Sequence, residues 1–151
     1  MKFPGLGGLF AVLLLQTSAA VAAEPVVRSD GYVVRYAAQV STGFAPEIAR
    51  QYGITRSANH GVLILNVQRE ADAGGKPVAV AARASGSAAS LMGDRQTLQL
   101  RPAGPAGSGD LLADFAMING EYLRFDVDVL PQGGNTPIHV HFEQQFYNDR
   151  D

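Results

Sequence analysis

The chain of 151 residues contains no cysteine. This excludes a disulfide framework, although an oxidising compartment would permit one, and it excludes a lipid-modified cysteine behind a leader. Long apolar runs are missing as well. A membrane-spanning helix needs about 20 predominantly apolar residues; Leu9–Leu15 (LFAVLLL) falls short of that, and Gln16, Thr17 and Ser18 interrupt it. Neither sign of charge prevails: 12 basic side chains face 14 acidic ones, interspersed along the sequence. With no basic stripe, nucleic acid is not expected as a partner. With no polybasic amphipathic helix, anionic lipid is not expected either. There is no Gly-x-Ser-x-Gly elbow of the kind hydrolases use and no glycine loop that would cradle a phosphate. No catalytic set emerges, and the sequence predicts a protein that is not an enzyme and needs no cofactor.

What is present begins with an export signal. Lys2, the apolar run Leu9–Leu15 and the small residues Ser18–Ala23 (SAAVAA) follow the order of a secretory signal peptide. Val21 and Ala23 suit the positions before the cleavage point, so residues 1–23 are read as the signal, with cleavage after Ala22 as the close alternative. Loss of Lys2 takes the formal net charge from −2 to −3. Residues 24–151 then form a single domain, expected in the periplasm with no integral membrane segment after cleavage.

Alternation of apolar and polar residues, the mark of a half-buried strand, dominates this domain. In Glu121–Leu130 (EYLRFDVDVL), Leu123, Phe125, Val127 and Val129 point one way, and Tyr122, Arg124, Asp126 and Asp128 the other. Gly31–Ser41 and Ile138–Tyr147 alternate in the same manner. His60–Glu70 is apolar on both faces between Val62 and Leu65, which predicts a central strand. Pro77–Ser85, Arg95–Arg101 and Asp110–Asn119 complete the set. Asp72–Lys76, Asn119-Gly120 and Gln132–Pro137 read as hairpin turns, and Pro102–Gly109 as a mobile surface loop. Pro46–Gln51 is a short helix, started by Pro46 and stopped near Gly53. About seven strands at roughly 8–12-residue spacing predict an all-β fold, an immunoglobulin-like β-sandwich with one short helix after the first strand.

The segment Tyr52–Val67 (YGITRSANHGVLILNV) and the ending Phe142–Asp149 (FEQQFYND) resemble a family known as domain of unknown function 4426. The resemblance runs from about Val27 to Asp149. It implies a small exported bacterial β-sandwich, periplasmic, with no assigned activity, cofactor or partner. His139 and His141 lie outside the family pattern.

Two groups of residues invite a functional reading. His139-x-His141 on one strand face puts two imidazoles about 6.6 Å apart along the chain, near enough to share a copper or zinc ion at about 2.0–2.1 Å from each nitrogen. Glu143 is about 13 Å from His139, too far to complete that site, so further ligands must come from a neighbouring strand. Two solvated histidines are the plain alternative. The second group is Tyr52, Arg56, Ser57, Asn59 and His60, a loop leading into the central strand, read as a surface for an envelope protein or small ligand. Arg56 pinning the loop through backbone carbonyls is its plain alternative. Ser57 and His60 with Glu47 lack the geometry of a nucleophile and base. Asp126 and Asp128 read as a solvated face, with Met92 in a turn and Met117 in the core.

N-terminal sequencing of the protein recovered from its native host should begin at Glu24 or Ala23. Recovery of intact Met1 in the mature pool would overturn the export assignment.

Overall fold

The computed structural model describes residues 25–148; the predicted signal, residues 1–23, lies outside them. Among the described residues ten strands form two antiparallel sheets packed face to face. The first sheet holds β1 (Val26–Ser29), β2 (Tyr32–Val40), β3 (His60–Arg69), β8 (Asp110–Ala116) and β7 (Arg101–Ala103) in that order, with β4 (Val78–Ala79) pairing to β3. The second runs β10 (Ile138–Gln145), β9 (Tyr122–Pro131), β5 (Ala82–Ser90), β6 (Arg95–Leu98). The helix, α1 (Pro46–Tyr52), follows the second strand rather than the first. Pro46 opens it, Glu47 sits in its first turn, and Gly53 closes it in the left-handed region at φ 67°. Among the described residues no helix is long and apolar enough to cross a membrane.

Three causes separate ten strands from the expected seven. The first strand was not foreseen; Asp30 and Gly31, at φ 51° and 80°, make the tight turn joining β1 to β2, and an Asp-Gly pair suits a turn that needs positive φ twice. Next, Pro77–Ser85 divides. Val78 and Ala79 pair with β3, whereas Ala82 onward pairs with β9 in the other sheet. Arg95–Arg101 divides in the same way between β6 and β7. A strand that crosses from sheet to sheet keeps its alternation through the corner, so periodicity alone does not reveal the break. The segment read as a loop from Pro102 gives its first two residues to β7, an edge strand, where proline is tolerated.

Asn119-Gly120 is not a hairpin. The Glu121 N–H does donate to the Ile118 carbonyl at 2.9 Å, with Gly120 at φ 82°. The strands on either side belong to different sheets, so this turn carries the chain across the sandwich. Asp72–Lys76 and Gln132–Pro137 do join paired strands, β3 to β4 and β9 to β10.

The core lies between the sheets. Val34, Leu63, Leu65, Val67, Leu111, Ala113 and Phe115 meet Leu123, Phe125, Val127, Val129, Val140 and Phe146 there. At its centre Phe125 stacks on Phe142, with ring centroids 4.6 Å apart, and meets Phe115 edge-on at 5.0 Å. Such aromatic contacts add to the area buried. Gly61 makes room for this cluster, since a Cβ there would run into the Phe115 ring. β3 is central, as its apolar character on both faces predicts. Its outer face, with Val62 and Ile64, joins Leu112, Ala49 and Ile54 in a second, smaller apolar cluster beneath α1.

Along β9, Phe125 is fully buried and Asp126 is not. Phe125→Ala should cost about 3–5 kcal/mol in denaturant unfolding, while Asp126→Ala should cost less than about 1 kcal/mol. Equal, small losses from both would place β9 in the wrong register.

Candidate functional site

β9 and β10 pair so that His139 lies opposite Asp128 and His141 opposite Asp126. Burial of Ile138, Val140, Phe125, Val127 and Val129 on the inner face forces these four polar side chains onto the outer one. Asp126 stands between the two histidines. Its Oδ1 lies 2.7 Å from His141 Nδ1 and 3.4 Å from His139 Nε2. One ligand atom from each of Asp126, His139 and His141 falls within 4.8 Å of the others. The imidazole rings lie nearly parallel, their centroids 6.3 Å apart. All three side chains are about half exposed, at 40%, 56% and 48%.

Asp128 holds His139 from the far side. His139 Nδ1 and Asp128 Oδ1 are 3.0 Å apart. An ionised carboxylate takes a proton donor, so Nδ1 carries a hydrogen toward Asp128, and in the imidazolium Nε2 carries one toward Asp126 that a bound metal would replace. Orientation of a histidine by a carboxylate on its other nitrogen is the usual support for a metal ligand. Glu143 plays no part here; it pairs with Arg124 at 3.0 Å.

The same geometry moves the acidities. The His139 imidazolium is favoured, first by its hydrogen bond to Asp128, and its pKa rises above the ordinary imidazole value although desolvation opposes the change. The Asp126 carboxylate is favoured, first by its hydrogen bond with His141, and its pKa falls below the ordinary carboxylate value. His139 therefore contributes stability below its unfolded-state pKa and loses it as pH rises through the raised folded one. Asp126 contributes above its unfolded-state pKa and loses it as pH falls through the lowered folded one. The two contributions coincide at weakly acidic pH, between the ordinary carboxylate and imidazole ranges.

The second sequence-predicted group is held by its own backbone. Arg56 donates to the Thr42 carbonyl at 3.2 Å, the pinning role. Buried Ser41 both accepts from the Ser57 N–H at 2.8 Å and donates to the Ser57 carbonyl at 2.9 Å. The Ala58 carbonyl accepts from Asn148 Nδ2, and the Asn59 carbonyl from the Met117 N–H. Arg56 and Asn59 remain exposed, while Ser57 and His60 are half-buried and His60 Nδ1 is buried without a hydrogen-bond partner among the described residues. The Ser57 hydroxyl accepts from the Asn59 N–H, and the bond between Ser57 and His60 runs between backbones. Tyr52 turns away from this group and lines a groove beside α1. Met92 is exposed in the turn after β5, and Met117 is buried.

A family described as domain of unknown function (DUF4426) matches residues 26–149. The chain belongs to this family. A crystal structure of a DUF4426 family protein from Pseudomonas aeruginosa PAO1 is similar to it, with 29% sequence identity and a TM-score of 0.68 over 84% of this chain and 97% of that one. No curated protein matches the chain. The DUF4426 match includes all ten strands and both groups of residues described above.

Asp126 is the candidate ligand that sequence reading passed over. The signal was present, in the alternation of β9 and the hairpin closed at Gln132–Pro137, which together bring the outer faces of the two strands side by side.

An NMR titration of the histidines should place His139 above the ordinary imidazole pKa, and Asp128→Asn should bring it back down. A His139 titration unmoved by that substitution would show that Asp128 does not hold the ring.

Proposed function

We propose that this DUF4426 protein is a non-catalytic binding or accessory module of the periplasm that takes a copper or zinc ion between Asp126, His139 and His141. The single observation carrying this reading is the convergence of two imidazole nitrogens and a carboxylate oxygen from adjacent strands. A pair of histidines is half a site; a third ligand from β9 makes a set of two nitrogens and one oxygen. Imidazole with carboxylate suits copper(II) and zinc, and copper(II) binds most tightly of the divalent first-row ions. His141 Nδ1 and Asp126 Oδ1, 2.7 Å apart, share a hydrogen bond that a bound metal would replace. A site this open excludes no water and positions no substrate, which favours binding over catalysis. The periplasmic assignment rests on the signal sequence, and the immunoglobulin-like description on the two-sheet frame.

The pinned loop supports a second surface for an envelope partner. Arg56 and Asn59 are the side chains a partner would meet, on backbone already ordered before binding.

Tag-free, chelator-treated protein titrated with copper(II) and zinc by calorimetry should bind one ion with micromolar affinity or better. His139→Ala and His141→Ala should each weaken it strongly without preventing loading at high copper concentration, and Asp128→Asn should weaken it about tenfold to hundredfold through loss of ring orientation. Binding that is absent, or unchanged in the histidine variants, would overturn the metal reading.

A further inference from the structure

The outer face of the first sheet carries a feature unrelated to the histidine face. Between α1 and strands β3, β7 and β8 lies a groove of about 210 Å³. Phe44, Ile48, Tyr52, Ile64 and Leu112 are among the side chains lining it, and Asp110 is its single charged one. The groove exists because α1 is only seven residues long. So short a helix packs its Ala49 over Val62 but leaves the apolar surface toward Asp110 open. Ile48 is 40% exposed at its edge.

Asp110 is placed by the strand register. It lies opposite Asn66, whose Nδ2 donates to Asp110 Oδ1 at 2.7 Å. Alternation along β8 puts Asp110 and Leu112 on the outer face, with Leu111 and Ala113 in the core. A carboxylate has acceptor capacity for several donors, so one bond from Asn66 leaves room for a ligand. Arg101, the nearby cation, is committed elsewhere: it pairs with Asp114 at 3.1 Å and donates to the Tyr52 and Gly53 carbonyls.

We infer that this groove is a binding site for a small primary amine with an apolar or aromatic body. Size and charge decide the class. An apolar cavity of about 150 Å³ holds benzene, so this one accommodates a ring with a short arm. Apolar walls with one precisely oriented polar group are the usual make-up of a small-molecule site. The lone carboxylate selects an ammonium and repels an acid, since a charge-assisted hydrogen bond is about twice as strong as a neutral one.

Three probes of one shape test this: phenethylamine, 2-phenylethanol and 3-phenylpropionate, added to isotope-labelled protein at neutral pH and followed by NMR. Phenethylamine should saturate and move the amides of Phe44, Tyr52, Ile64 and Leu112. The alcohol should bind at least tenfold more weakly, and the acid should leave these resonances still. Asp110→Asn should remove the preference for the amine, and Ala103→Leu, which enlarges a side chain that also lines the groove, should abolish binding of amine and alcohol alike. Should Asp110→Asn fail to fold, the comparison of the three probes on the unaltered protein decides alone. Equal binding of amine and alcohol, or amine-induced shifts confined to the face of Asp126 and Asp128, would overturn the inference.

Discussion

The burial of β9 on one side is the constraint from which both the fold and the candidate metal site follow. Leu123, Phe125, Val127 and Val129 enter the core, and the two-residue repeat of a strand leaves Arg124, Asp126 and Asp128 no other place than the outer face. The hairpin to β10 repeats this with Ile138 and Val140 inward and His139 and His141 outward. A slip of one residue would turn the carboxylates into the core and the phenylalanine into water, at a cost no neighbouring contact offsets. The hydrophobic effect acting on Phe125 and Val127 thus fixes where the polar groups stand. The metal reading depends on a register that stability alone already enforces.

The sheets are tied together by more than this core. Gln144 Nε2 on β10 donates to the Ala38 carbonyl on β2 at 2.9 Å, and Tyr36 stacks on Phe142 at 4.6 Å between ring centroids. On the far side of the first sheet, α1 and the loop after it form a second layer held by Ser41, Arg56 and Asn148. The protein therefore has two unlike outer surfaces. One is a flat strand face with acids and imidazoles; the other is a helix-covered face with an apolar groove.

Much of this was legible in the sequence because local rules and global packing agree there. β9 could be read with its faces assigned, since its alternation is unbroken from Tyr122 to Val129. The helix announced itself through Pro46, Glu47 and Gly53. The family resemblance, carried by Tyr52–Val67 and Phe142–Asp149, is matched by the DUF4426 assignment of residues 26–149. Periodicity was silent where tertiary structure decides. It could not show that Pro77–Ser85 changes sheets near Ala81, or that Asn119-Gly120 joins two sheets instead of two paired strands. The histidine pair is visible as a motif, but its third member emerges only when β9 is paired with β10 across the Gln132–Pro137 hairpin, because Asp126 is distant in sequence and meets His141 through that register. Tyr52 was grouped with Arg56 by proximity in the chain; the end of α1 turns it toward a different surface.

The most direct test of the central claim is X-ray absorption spectroscopy of the copper-loaded protein. It reports the ligand set itself, whatever the affinity. The register of β9 against β10 predicts two imidazoles and one carboxylate oxygen in the first coordination shell, with one imidazole lost in His139→Ala and oxygen ligation altered in Asp126→Ala. A shell with a single imidazole, or one unchanged in either variant, would contradict it.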